Sequence, residues 1–116
     1  MKKLKTYNID LYLGSVNEVS KTAFHYEMLV KEIASFQKEW GQFVPVCISG
    51  VEFISGSTYR ENGWRVSVIN YPRLQYSKKH IRTFMLDLGE FLLIKFKQKK
   101  ICVVEPKITT MLESDL

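Results

Sequence analysis

Two histidines, His25 and His80, and two cysteines, Cys47 and Cys102, have the most evident capacity for chemistry in this 116-residue chain. Their spacing assembles none of it. Acid–base or nucleophilic catalysis needs an imidazole within reach of a carboxylate or nucleophile, and neither histidine has such a partner at a recognisable spacing. The cysteines stand alone, with no Cys-x-x-Cys, His-x-x-x-His or acidic calcium loop, so no metal is expected. No glycine pattern marks a phosphate loop. The sequence therefore predicts no catalytic residue, no metal and no cofactor.

Charge offers more. Lysine and arginine number 17 against 12 acidic residues, a net charge of +5 with pI near 9.2. One basic group, Arg73, Lys78, Lys79, His80 and Arg82, surrounds the start of an expected helix, where cations oppose the helix dipole. Helix stability does not explain that placement, so this group is the candidate anion site. The lysines at 95, 97, 99 and 100 fall at that helix's end, where they complement its dipole. A weak, salt-sensitive association with nucleic acid or another anionic partner follows from the basic excess.

The elements that position these residues are legible in the apolar rhythm. Residues 7–13 alternate as a strand does and 26–40 repeat at helical spacing. Two strand-like runs follow at 44–53 and 64–71, then a helical stretch at 81–96 and an apolar run at 101–104. Ser20 and Ser77 are expected N-caps, and Gly41 ends the first helix. The polar stretch 55–63, with two glycines, predicts a long exposed hairpin loop carrying Tyr59 and Arg60. Residues 105–116 read as a strand extension or a frayed tail. One domain over 1–116 is expected, since the length suits a single core.

The order β-α-β-β-α-β resembles the ferredoxin-like superfamily, which implies an α+β fold with a four-stranded antiparallel sheet and two helices on one face. Within it, Leu11-Tyr12-Leu13-Gly14-Ser15-Val16 and Asn62-Gly63-Trp64-Arg65-Val66-Ser67-Val68-Ile69 resemble the strand signatures of RNA-recognition motifs, the second matching at Gly63 and loosely at Trp64. Stacking bases on both aromatics would turn Arg65 into the core, so Trp64, Val66 and Val68 are expected to point inward instead. The open face then carries Tyr12, Arg65, Ser67, Ile69 and Tyr71, joined by Phe43, Pro45, Cys47 and Ser49.

Of these, Tyr12, Phe43, Arg65, Ile69 and Tyr71 form the candidate interface. An apolar face of this kind is usually covered, which predicts a homo-oligomer. The basic start, residues 1–5, lacks the apolar segment of a signal peptide and no run is long enough to span a membrane, so a soluble, cytoplasmic protein is expected. The resulting expectation is a small binding module that self-associates and lacks catalytic machinery. A nucleic-acid-binding domain is the alternative, and a small dimeric α+β-barrel enzyme the third.

Overall fold

Alternation from Asn8 to Gly14 puts Ile9, Leu11 and Leu13 on one side of strand β1, and all three are buried. In the computed structural model, which describes residues 1, 3–71 and 76–116, six further elements follow. They are α1 (Tyr26–Trp40), β2 (Cys47–Ser55), β3 (Tyr59–Ile69), α2 (Lys78–Lys95), β4 (Lys100–Val104) and β5 (Thr109–Glu113). The strands form one antiparallel sheet in the order β2-β3-β1-β4-β5. The architecture is thus α+β, with two helices and five strands.

Both helices cover the same face. Tyr26 of α1 meets Trp64, which pairs across the ladder with Leu13, and α2 lies over Leu11 and Val103. The core is made by Ile9, Leu11, Val66, Val68, Ile101 and Val103 of the sheet against Leu29 and Ile33 of α1 and Ile81, Phe84, Met85, Leu88 and Leu92 of α2. Each such side chain contributes on the order of 1.5–3 kcal/mol on leaving water. Helix α2 comes close to the sheet at Gly89, where an added Cβ would stand 2.6 Å from Leu112 and 3.4 Å from Leu11.

The structure corrects the sequence reading at four places. The sheet has five strands, not four, because residues 109–113 pair with β4 along their whole length and bury Leu112 partly against the core. The predicted loop at 55–63 is a short turn, since Tyr59 to Asn62 continue β3 in register with β2. Phe43 precedes β2 and Tyr71 follows β3, so neither is a strand residue. Helix α1 begins after His25, which makes no side-chain cap, and Ser20 instead hydrogen-bonds Thr22 in the loop before it.

Trp64, Val66 and Val68 do point toward the helices. Arg65 accordingly lies on the open face, where its Nε donates to Ser49 Oγ at 3.2 Å. Cys47 and Cys102, on β2 and β4, are free thiols on strands separated by β3 and β1. Among the described residues no helix is long and apolar enough to cross a membrane.

Candidate functional site

The basic group at the start of α2 does not converge on one point. Ser77 accepts a hydrogen bond from the His80 backbone N–H at 3.1 Å, which satisfies one of the donors an anion would have used. Arg82 is committed to Glu105, donating from Nε to both carboxylate oxygens at 3.0 and 3.1 Å. Lys78 lies over the Tyr7 ring, 5.5 Å from its centroid. The His80 ring is stacked on Tyr76 and meets Trp40 edge-on. Lys79 is exposed, and Arg73 lies outside the described residues.

Tyr7 completes this network by donating its hydroxyl to Glu105 at 3.2 Å. Burial pushes its phenol above the usual value of 10.0, and the Glu105 charge and hydrogen bond push it the same way. The neutral phenol is therefore favoured by folding. Its contribution to stability is complete below the ordinary tyrosine value and is lost as pH rises through the higher folded one. Denaturation between pH 8 and strongly alkaline pH should show this as a loss of stability that Tyr7→Phe lacks; an identical alkaline slope in the variant would contradict it.

The residues of the expected interface also scatter. Tyr12 and Arg65 are cross-strand partners near the sheet centre, whereas Ile69 pairs with Asn8 at one end and Phe43 and Tyr71 lie beyond the strands.

What the open face does assemble is a groove across the strands. Gly14 lines it, and the cross-strand partner Gly63 lies buried beneath its floor. The Phe53 ring folds over Gly63, so that a Cβ there would stand 2.5 Å from Phe53 Cε2 and 2.6 Å from the Leu13 carbonyl oxygen. The Glu61 carboxylate lies over Gly14 in the same way, with Oε1 2.9 Å from where a Cβ would be. Two missing side chains thus let an aromatic ring and a carboxylate come down against the sheet. Tyr12, edge-on to Phe53 at 6.3 Å, and Tyr59 add further aromatic lining.

Glu18, Lys99, Lys100, Cys102 and Met111 also line this space of about 440 Å³, within the range of small-molecule sites.

Polar contacts fix this arrangement. Gln98 is buried; its Oε1 accepts from the Gly14 N–H at 3.1 Å and its Nε2 donates to Val16 O at 2.9 Å and Phe96 O at 3.2 Å. It ties the end of β1 to the end of α2. The Tyr59 hydroxyl donates to Glu61, and that carboxylate holds the phenol above its usual range, so Tyr59 remains a protonated donor at neutral pH. Glu18 is bound by Lys21 at 3.0 Å, with Lys99 3.9 Å away, and the Lys21 contact chiefly lowers its pKa. Arg60 points to the opposite face, where it pairs with Glu52 at 3.1 Å.

Sequence reading leaves open whether Tyr59 and Arg60 belong to a site and misses Glu61, because it places all three in a loop. The available signal was period two, since Tyr59, Glu61, Gly63 and Arg65 continue the alternation of β3 backward across the apparent loop.

No family model matches this sequence, and no curated protein matches it. Two solved structures share its fold from end to end. One is a phage SAM lyase in complex with S-methyl-5′-thioadenosine, with a TM-score of 0.79 and 17% identity, covering 99% of this chain and 96% of the other. The second is a phage SAM lyase in its apo state, with a TM-score of 0.79 and 18% identity, covering 100% and 97%. At this identity the likeness is one of fold. It corrects the expectation of an interaction module without catalytic machinery, because both structures that share this architecture over the full length are of a SAM lyase.

Proposed function

We propose that this protein is an enzyme that cleaves S-adenosylmethionine (SAM) as a lyase, with the groove over Gly14 and Gly63 as its substrate site. The observation that carries the reading is an aromatic and acidic groove on a fold shared end to end with SAM lyases. We also read β1 to β4 with the two helices as a ferredoxin-like plait extended by β5, on the strength of the strand order.

The chemistry of the substrate matches the lining. SAM has an adenosyl group, a sulfonium cation and an amino-acid end carrying both charges. Aromatic faces bind flat bases and attract cations. Glu61 and Lys100 offer opposite charges to the zwitterionic end.

Cleavage breaks the bond from sulfur to the γ-carbon of the amino-acid portion. Its electron pair goes to sulfur, and S-methyl-5′-thioadenosine leaves as a neutral thioether. A lyase adds no water, so the γ-carbon is satisfied from within its own fragment. Attack by the fragment's own carboxylate forms a five-membered lactone, requires no proton transfer and leaves the ammonium unchanged.

This route asks for positioning and exclusion of water rather than for an acid or base. A carboxylate placed against the sulfonium itself would hinder the reaction, because that charge disappears in the transition state. Glu61 is better used on the ammonium, as an anchor.

Titration of the protein with S-methyl-5′-thioadenosine, followed by amide NMR, tests the site. The Gly14, Gly63 and Cys102 signals should shift together and saturate. Absence of binding, or shifts confined to the separate cavity lined by Phe24, Lys31, Lys95 and Phe96, would contradict the assignment.

A further inference from the structure

We infer that Lys100 reads the α-carboxylate of the substrate's amino-acid end, so that the groove selects adenosyl sulfonium and thioether compounds that keep this end over those that lack it. The inference rests on the lyase reading and narrows its substrate class.

Three observations carry it. First, the register sets Lys100 beside the groove floor: Cys102 pairs with Tyr12, and Lys100, two residues before Cys102, projects from the same face beside Gly14. Passing from β2 toward β5, the groove therefore offers the Phe53 ring, the Glu61 carboxylate and then the Lys100 ammonium. An amino acid laid along that line meets Glu61 with its ammonium and Lys100 with its carboxylate.

Second, the other charges nearby are committed. Lys99 and Lys21 both face Glu18, and the Tyr59 hydroxyl occupies one side of Glu61. Lys100 makes no ion pair among the described residues; its cross-strand neighbour Glu113 stands on the side away from the floor. Third, Lys100 is exposed and lines the groove, so it can reach a ligand without unpacking the core. By holding one carboxylate oxygen, it would present the other toward the chain carbon.

Calorimetric titrations with S-adenosylhomocysteine, which retains the amino-acid end, and with S-methyl-5′-thioadenosine, which lacks it, separate this claim from the one beneath it. The parent protein should bind the first about a hundredfold more tightly than the second, roughly tenfold for each of the charge-assisted contacts at Glu61 and Lys100. Lys100→Met should shrink that gap to about tenfold, the share left to Glu61, through loss of S-adenosylhomocysteine affinity alone, and Lys100→Arg should restore most of the loss.

A gap unchanged by Lys100→Met, or an equal weakening of both ligands, overturns the role of Lys100 and leaves the lyase reading standing. Failure of both ligands to bind the parent protein overturns the two together.

Discussion

Replacing Glu61 with Gln is expected to lower kcat/KM for SAM by between about ten- and a hundredfold, the range set by losing one hydrogen bond to a charged group. Gln keeps the size of the side chain and its contact over Gly14, so the groove keeps its shape. What it loses is the negative charge that the lyase proposal sets against the substrate ammonium. Stability should stay within about 0.5 kcal/mol of the parent, as for a substitution outside the core. Gly14→Ala should reproduce the kinetic loss in a folded protein, because its Cβ meets the end of the Glu61 side chain at 2.9 Å, while the hydrogen-bonded Gln98 amide at 3.3 Å need give by only a few tenths of an ångström. Parent-like kinetics in both variants would remove Glu61 from the site.

Gly63→Ala should behave differently, costing stability as well as activity. Its Cβ would meet the Leu13 carbonyl oxygen at 2.6 Å, and that oxygen belongs to the central ladder between β1 and β3. Backbone cannot step aside as a side-chain terminus can. The Phe53 ring, at 2.5 Å on the other side, must move as well. Overpacking of this kind costs about 1–3 kcal/mol, a large share of the roughly 5–15 kcal/mol that holds a domain together. Urea denaturation checks it: the midpoint should fall clearly below those of the parent and Gly14→Ala. Equal midpoints for the two alanine variants would show that the sheet tolerates a side chain at both floor positions.

Periodicity carried much of the fold because burial acts on one face of each element. The alternation of Ile9, Leu11 and Leu13 and the helical stripe of Ile81, Phe84, Met85, Leu88 and Leu92 appear directly in the core. The inward placement of Trp64, Val66 and Val68 followed from the cost of burying Arg65. Polarity misled at both ends of this pattern. Tyr59 to Asn62 look like a loop because the outer part of a hairpin buries little, yet the ladder with β2 holds them in a strand. Thr109 to Glu113 form an edge strand whose register comes from β4 rather than from a strong apolar rhythm.

The site was less legible than the fold. Histidine, cysteine and metal spacings are the usual signals for catalysis, and the proposed sulfonium substrate needs none of them, because it carries its own activated leaving group. The remaining requirement is a shaped, charged groove, built here from two glycines that meet only when β1 and β3 pair. Gly14 and Gly63 are 49 residues apart (63 − 14). Nothing local to either shows that their absent side chains make room for Glu61 and Phe53.

The most direct measurement is a mass balance of SAM incubated with the purified protein in ¹⁸O-labelled water and sampled in the first turnovers. S-methyl-5′-thioadenosine should form in step with SAM loss, together with a four-carbon fragment that carries no label from water at its γ-carbon. Formation of S-adenosylhomocysteine, label on that carbon, or no loss of SAM at all would contradict the lyase reading.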